Sequence, residues 1–126
     1  WWRIINISSA HGIVASNFKA GYVSSKHGLV GLTKVVALET AKENITCNAI
    51  GPGFVDTDLV RKQIKKIAKS KKISLRKAQD FILEKHASKD FIKKKDISAL
   101  AYFLCSEEAS QITGSNLIID GGWTAQ

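Results

Sequence analysis

The sequence contains only two cysteines and one proline, and it has no long run of apolar residues. Cys47 and Cys105 are too few for a disulfide framework, and neither has a second Cys or a His at metal-ligand spacing, so we expect no metal site. Two buried thiols in a reducing, cytoplasmic compartment are the simplest interpretation of this pair. No apolar stretch approaches the roughly 20 residues that are needed to cross a bilayer, so we expect no membrane partner.

The amino-terminal residues have none of the features of a signal peptide. The segment 1–5 lacks a basic start, a long apolar centre and a small-residue cleavage site. The first residue is Trp rather than Met, which we interpret as the mark of a fragment or a trimmed product. Hydrophobic residues make up 44% and charged residues 24% of the 126 positions, which is typical of one modest globular domain.

Acidic residues are scarce between positions 61 and 95, where fourteen lysines and arginines stand against three acids. Such a block could bind nucleic acid, but it lacks the interleaved aromatics of single-strand binders and has no zinc-finger or recognition-helix pattern. Apolar residues recur through it at helical spacing, so we expect the lysines to form a solvated outer face. They are Ile64, Ile67, Ala68, Leu75, Ala78, Phe81 and Ile82. We therefore expect no nucleic-acid partner, while a basic surface near a site would attract an anionic substrate.

A Tyr and a Lys four residues apart stand near the start of a predicted helix over 21–44. Positions i and i+4 are neighbours on one helix face, so the phenol of Tyr22 and the ammonium of Lys26 can lie side by side. A nearby cation favours the phenolate, which is the form that a proton-transfer catalyst uses as a base. The apolar residues of this helix predict a broad buried surface. They are Val23, Leu29, Val30, Leu32, Val35, Val36 and Leu38.

Two short β-branched segments flank this helix, at 3–8 and 45–50, and turn-forming residues follow each of them. The order strand, helix, strand is typical of a parallel sheet with a crossover helix, which predicts an α/β fold. Ligands of such sheets bind at the carboxyl ends of the strands. Ser9, the loop 51–57 and the start of the helix all fall at that edge, so we expect a site there.

The rest of the chain predicts mostly helix. Helical spacing continues over 58–89 with a break around 70–74, where Ser74 is expected to cap the second helix. A further helix is predicted over 96–106 and a last strand over 116–120. The tail then begins with Gly121, Gly122 and Trp123.

Four motifs occur in one order along the chain: Ile-Asn-Ile-Ser-Ser at 5–9, Tyr-Val-Ser-Ser-Lys at 22–26, Asn-Ala-Ile-Gly-Pro-Gly-Phe-Val-Asp-Thr at 48–57 and Asp-Gly-Gly at 120–122. Together they resemble the second half of the short-chain dehydrogenase/reductase family. The resemblance covers essentially the whole chain, and the local sequence is most similar to the D-3-hydroxybutyrate dehydrogenases of that family.

The resemblance implies a partial Rossmann-like domain, part of a doubly wound parallel sheet that lacks its amino-terminal nucleotide-binding half. A helical substrate lid would occupy about 57–92. The implied activity is NAD-dependent interconversion of D-3-hydroxybutyrate and acetoacetate, and complete relatives are tetramers. The catalytic residues would be Ser9, Tyr22 and Lys26. The residues that bind the substrate, chiefly through its carboxylate, would be His11, Lys19 and Gln63. The residues that bind NAD would be Tyr22, Lys26, Pro52, Gly53, Val55 and Thr57.

The chain departs from the family pattern in several places. It lacks the glycine-rich turn that receives the pyrophosphate, the acidic residue that reads the adenosine ribose, and the Asn that usually completes the proton relay. Gly51 stands where a Cys is common and Phe54 where a Trp is common, which alters the pocket wall. A half sheet would leave strand edges and an apolar face uncovered. We therefore expect the isolated chain to bind no cofactor and to fold marginally, or only with a partner.

Three hypotheses of different kinds follow. In the first, the family activity belongs to a longer protein, or returns when a separately made first half associates with this chain. In the second, the chain is a non-catalytic remnant of a split gene. In the third, it is a small basic nucleic-acid-binding module, which would bind duplex DNA in a salt-sensitive way.

Overall fold

The computed structural model describes residues 1–126 and contains three strands, four helices and three short 3-10 turns. The strands are β1 (Trp2–Ile7), β2 (Ile45–Pro52) and β3 (Asn116–Ile119), and the helices are α1 (Ala20–Glu39), α2 (Asp58–Lys71), α3 (Leu75–Leu83) and α4 (Lys94–Leu104). The 3-10 turns are Ala10–Gly12, Glu107–Ala109 and Trp123–Ala125. No helix is long and apolar enough to cross a membrane.

The strands form one parallel sheet in the order β1-β2-β3. The central strand β2 is buried along almost its whole length, as expected for a strand that is covered on both faces. Trp2 pairs with Ile45 at one end of the sheet, and Ala49 pairs with Asn116 at the start of β3. The carboxyl ends of all three strands therefore lie at one edge, which confirms the predicted α/β fold.

Helices pack on both faces of the sheet. The Asn6 side chain on β1 donates a hydrogen bond from Nδ2 to the Thr33 hydroxyl of α1 at 2.9 Å. Side chains alternate across a strand, and Ile50 of β2 packs on the opposite face in a cluster with Leu104 of α4 and Ala109. A separate small core lies between α2 and α3, formed by Ile64, Ala68, Ala78 and Ile82.

The helix predicted over 21–44 is shorter than expected, because it ends at Glu39. Residues 40–44 form a turn that brings the chain back to β2, and Asn44 adopts the left-handed conformation with φ 53°. Asn tolerates that conformation better than most residues, so it suits the end of such a turn.

The break between α2 and α3 is confirmed, and the second of these helices is shorter than predicted. Lys72 ends α2 in the left-handed conformation, and the Ser74 hydroxyl accepts the Lys77 N–H at the start of α3, as the sequence indicated. Helix α3 ends at Leu83, so the residues up to Lys89 are not helical.

The broad buried surface predicted for α1 is absent, since only Thr33 and Ala37 are fully buried on this helix. Leu32, Val35 and Leu38 are 55%, 50% and 80% exposed. The first strand is similarly uncovered, because β1 is an edge strand and its Trp2 is 73% exposed. The structure therefore confirms that an apolar face and a strand edge are open.

Three other side chains lie in different surroundings from those expected. Cys47 is buried but Cys105 is exposed, so only one of the two free thiols fits the prediction. Leu75 and Phe81 of α3 were expected to face inward, yet each is about half exposed. All fourteen lysines and arginines between 61 and 95 are exposed, as predicted.

Candidate active site

A cavity of about 650 Å³ opens at the carboxyl ends of β1 and β2. Its wall comes from four parts of the chain: the end of β1 with the loop that follows, the start of α1, the loop after β2 with the first turns of α2, and the tail. All of the residues predicted for the site line this cavity. They are Ser9, His11, Lys19, Tyr22, Lys26, Pro52, Gly53, Val55, Thr57 and Gln63.

Ser9 is held at the end of β1 by the 3-10 turn that it begins. Its hydroxyl oxygen accepts the His11 backbone N–H at 3.1 Å, and the side chain is nearly buried at 7% exposure. Because the oxygen accepts this bond, the hydroxyl hydrogen is free to donate to a ligand in the cavity. The neighbouring Ser8 instead donates to the Lys26 carbonyl at 3.3 Å, which ties the strand end to α1.

Tyr22 and Lys26 lie one turn apart on α1, as their spacing predicted. The Lys26 Nζ is 5.7 Å from the centroid of the Tyr22 ring and donates to the carbonyl of Ile7 at 2.9 Å. This bond anchors the ammonium beside the end of β1 and leaves two of its three hydrogens for other acceptors. The structure thus brings the phenol, the ammonium and the Ser9 hydroxyl to one cavity.

His11 is buried in the middle of the site, where its imidazole contacts two aromatic rings. Its Nε2 lies 2.9 Å from the Ser16 hydroxyl, and its ring meets Tyr22 and Trp123 edge-on at centroid distances of 5.7 and 4.9 Å. Burial lowers the pKa of His11, and the positive charges of Lys19 and then Lys85 lower it further. A neutral imidazole can both donate and accept hydrogen bonds at physiological pH.

Two lysines on different segments bring positive charge to the His11 side of the cavity. Lys19 comes from the loop before α1, with its Nζ 5.8 Å from the centroid of the Tyr22 ring. Lys85 follows α3, with its Nζ 5.1 Å from the centroid of the Trp123 ring. Neither belongs to the one ion pair of the chain, which joins Arg61 to Asp56. The charge at this end of the cavity is therefore suited to a carboxylate.

Gln63 lines the same end of the cavity from α2. It also lines a smaller adjoining space of about 330 Å³, together with His11 and Lys19. The amide therefore lies within one group with the imidazole and the ammonium, although it is 52 positions from His11 in sequence.

In the loop after β2, the backbone N–H and C=O of Val55 are available to a ligand. Phe54 N–H donates to the His86 ring, and Asp56 N–H donates to the Ile92 carbonyl. Between them, the N–H and C=O of Val55 make no hydrogen bond within the chain. A free N–H beside a free C=O is complementary to a carboxamide, which carries both an acceptor and a donor. The site thus fits the nicotinamide group that the resemblance implies.

Thr57 has a structural contact as well as a place on the cavity wall. Its Oγ1 accepts the Val60 N–H at 3.3 Å and caps the start of α2. The cap fixes the direction in which α2 leaves the loop.

Trp123 is a cavity residue that was not predicted. Its ring stacks on that of Phe54, with centroids 5.4 Å apart and planes 3° from parallel, and both rings line the cavity. Gly121 and Gly122, with φ 61° and 84°, turn the tail so that Trp123 reaches the site. The sequence signal that could have indicated this position is the pair of glycines before the tryptophan.

The chain contains no group of three or more His, Cys, Asp or Glu side chains that could hold a metal ion. The chemistry available in the cavity is therefore that of a phenol, an ammonium, a hydroxyl and an imidazole, beside the free backbone N–H and C=O of Val55. Such a set can move a proton at an alcohol or carbonyl oxygen and hold an anionic ligand.

Comparison with known proteins identifies the class. The family model described as enoyl-(acyl carrier protein) reductase matches residues 2–124. The chain belongs to the short-chain dehydrogenase/reductase family. It is 49% identical to the D-beta-hydroxybutyrate dehydrogenase of Rhizobium meliloti and 50% identical to that of Cupriavidus necator, over 100% of its own length and 49% of each relative.

Solved structures of the family have the same fold. A short-chain dehydrogenase family protein from Francisella tularensis superposes with a TM-score of 0.94 at 35% identity, covering 98% of this chain and 51% of that one. An actinorhodin polyketide ketoreductase with NADPH gives 0.90 at 30% identity, with 98% and 48% covered. A 4-hydroxyisoleucine dehydrogenase complexed with NADH gives 0.75 at 37%, with 98% and 47% covered. The chain thus spans about half the length of the relatives it matches.

Proposed function

We propose that this chain carries the catalytic half of a dehydrogenase that interconverts D-3-hydroxybutyrate and acetoacetate with NAD. The observation that supports it most directly is the convergence of Ser9, Tyr22 and Lys26 on one cavity from two different elements. The similarity to two D-beta-hydroxybutyrate dehydrogenases supports the choice of substrate. Under this proposal the chain acts only when a nucleotide-binding half completes the sheet.

In this scheme Tyr22 is the acid/base group. As phenolate it accepts the proton of the substrate hydroxyl during oxidation, and as phenol it returns a proton to the carbonyl oxygen during reduction. Lys26 lies beside the phenol and would stabilise its anion, and its two remaining hydrogens would bind the ribose hydroxyls of the cofactor. Ser9 donates to the oxygen that changes between alcohol and carbonyl, which favours the negative charge that develops there.

The carboxylate of the substrate would be held next to the proton-transfer group, by residues that lie close to the Tyr22 ring. Lys19 contributes a full charge, while His11 and Gln63 contribute hydrogen-bond donors. Because these three residues come from the connection between β1 and α1 and from α2, they would fix the reacting carbon relative to Tyr22. The segment of about 57–92 would serve as the lid that closes over the bound hydroxy acid.

The cofactor site would use the loop after β2. Nicotinamide, when bound, supplies the hydride acceptor of the oxidation. In this chain Pro52 and Gly53 form the wall on which the ring would lie, and the backbone N–H and C=O of Val55 would pair with the carboxamide. Thr57 and Lys26 would hold the adjoining groups. Relatives with NADH and with NADPH are both known, and the choice of NAD follows the resemblance to the hydroxybutyrate enzymes.

The complete assembly proposed here is a cytoplasmic homotetramer in which each subunit contains this half and a nucleotide-binding half. The open face of α1 supports a subunit contact, since Leu32, Val35 and Leu38 are exposed apolar residues on one helix. The free thiols of Cys47 and Cys105 support a reducing compartment.

A hybrid protein tests the proposal. The amino-terminal half of the Cupriavidus necator enzyme would be joined to this chain, and NADH formation from D-3-hydroxybutyrate measured beside the same hybrid carrying Tyr22→Phe. Turnover in the first hybrid and its loss in the second support the proposal. A folded hybrid that binds NAD but forms no NADH would contradict it and favour the second candidate, a non-catalytic remnant. That candidate is motivated by the open β1 edge, which makes the isolated chain a poor catalyst whatever its motifs.

A further inference from the structure

His86 is completely buried, and both of its ring nitrogens have partners in the protein. It follows α3 at the end of the lid region and is 0% exposed. Its Nε2 lies 2.9 Å from the Phe54 backbone nitrogen, and its Nδ1 lies 2.7 Å from the Asp90 carbonyl oxygen. No contact of this residue involves the proton-transfer group at Ser9, Tyr22 and Lys26.

These two bonds determine the tautomer of the imidazole. Phe54 N–H is a donor, so Nε2 must be the acceptor and carries no proton. The Asp90 carbonyl is an acceptor, so Nδ1 must carry the proton. A neutral imidazole with hydrogen on Nδ1 is the only form that satisfies both partners at once. The side chain therefore joins the end of the lid to the loop after β2 through one directed hydrogen bond.

The backbone around the imidazole is fitted to it. A Cβ atom on Gly53 would lie 2.5 Å from Nε2, and one on Gly121 would lie 3.2 Å from Nδ1. Two side chains there would collide with the ring or displace it, so the loop and the tail both approach it through glycine. The segment after α3 is also joined to the tail by a backbone hydrogen bond, in which Ser88 N–H donates to the Gly121 carbonyl at 2.9 Å.

The residue that His86 holds is part of the cavity wall. Phe54 stacks on Trp123, and the His86 ring lies against both, with centroid distances of 5.7 Å to Phe54 and 6.3 Å to Trp123. Phe54 is also the residue that precedes Val55, whose free N–H and C=O face the proposed cofactor. A shift of the Phe54 backbone would therefore move the substrate wall and the cofactor contact together.

We propose that His86 is a positioning residue that fixes the Phe54 backbone and, through it, the Phe54–Trp123 wall of the substrate pocket. This inference rests on the proposed dehydrogenase function of the site. His86 acts through Phe54 and touches no reacting atom. Loss of its acceptor weakens substrate and cofactor binding, whereas the proton-transfer group, which is built on β1 and α1, keeps its geometry.

Replacement by Gln and by Leu separates this role from simple filling of space. A Gln amide can accept from Phe54 N–H and donate to the Asp90 carbonyl, whereas Leu can do neither. In the hybrid enzyme we expect His86→Leu to raise KM for D-3-hydroxybutyrate about tenfold with kcat changed much less, because a buried N–H loses its acceptor. His86→Gln should restore KM to near the original value. His27→Gln, an exposed position on α1, is the matched control.

A second measurement does not depend on activity. Hydrogen exchange of the Phe54 amide, followed by NMR in the hybrid protein, reports the bond directly. We expect protection in the unchanged chain and in His86→Gln, and at least about tenfold faster exchange in His86→Leu, relative to amides of β2. Nitrogen-15 shifts of His86 should show the proton on Nδ1.

The outcomes distinguish the two proposals. A protected Phe54 amide in a hybrid without turnover would support the His86–Phe54 hydrogen bond and contradict the proposed dehydrogenase function. Equal KM and equal Phe54 exchange in His86→Leu and the unchanged protein would overturn the positioning role, as would a proton on Nε2. If His86→Leu does not fold, His86→Asn replaces it, because its shorter amide cannot reach both partners. Protection in His86→Asn equal to that in His86→Gln would likewise overturn the role.

Discussion

Trp123 stacks on Phe54 with the two ring planes 3° from parallel, although the residues belong to segments 69 positions apart. The pair forms an apolar part of the cavity wall next to His11, so we expect it to contact the carbon chain of the substrate. Trp123→Ala removes the stacking and opens the cavity. Since an aromatic pair contributes about 0.5–1.5 kcal/mol beyond its buried area, we expect KM to rise about tenfold in the hybrid enzyme, measured by initial rates. Tyr102→Ala, which removes an exposed aromatic ring on α4 outside the cavity, is the control.

Tyr22→Phe tests the acid/base group. The substitution keeps the ring and removes the hydroxyl, so binding should change little while kcat falls by about 10²–10⁴, the range for a lost acid/base group. The chain has one other tyrosine, Tyr102, which is 82% exposed on α4. Tyr102→Phe should leave kcat unchanged. Equal kcat in the two variants would show that Tyr22 is not the acid/base group.

Lys19→Met tests the carboxylate end of the cavity. The variant keeps most of the stem and loses the charge, so we expect KM for D-3-hydroxybutyrate to rise about tenfold or more, as for the loss of a hydrogen bond to a charged group. Lys66→Met changes the net charge of the protein by the same amount on the outer face of α2. If both variants raised KM equally, long-range attraction of the anion rather than a local contact would explain the effect.

His11 should make folding stability depend on pH. Its folded-state pKa is lowered by burial and by Lys19 and Lys85, whereas the unfolded chain titrates near the ordinary value of about 6.5. Above that pH both states are neutral. Below it the unfolded state takes up a proton that the folded state resists, so the free energy of unfolding falls as the pH falls.

The test compares urea midpoints of the hybrid protein, with this chain unchanged or carrying His11→Asn, between about pH 7.5 and pH 5. The midpoint of the unchanged chain should fall more steeply, because the variant has lost this titration while keeping all the carboxylates. His27→Gln should follow the unchanged chain. Parallel curves for the chain with and without His11 would show that this imidazole is not held neutral by the fold.

The sequence predicted the sheet and the placement of the candidate site residues at one edge of it, because both depend on local patterns. Three signals each predict only the local structure around them. They are the β-branched run before Ser9, the Tyr and Lys one helical turn apart on α1, and the Gly-Pro-Gly sequence at the end of β2. Because ligands bind at the carboxyl ends of parallel strands, these three segments could be predicted to lie at one edge of the sheet.

The parts that were missed depend on contacts between distant segments. His86 is 32 positions from Phe54, and nothing near it in the sequence indicates that its ring accepts a backbone N–H there. Trp123 reaches the cavity only because two glycines turn the tail. The predicted burial of α1 was wrong for a related reason. An apolar helix face in the sequence indicates that the face packs against another surface, but it does not show that the same chain provides that surface.

The outer side of β1 offers a row of backbone donors and acceptors beside the bare indole of Trp2 and the half-bare side chain of Ile4. An unpaired edge strand of this kind forms backbone hydrogen bonds with any extended segment that is available. Inside a cell, three processes therefore compete for this polypeptide: pairing of β1 with a complementary strand, aggregation with other copies of the chain, and proteolytic degradation.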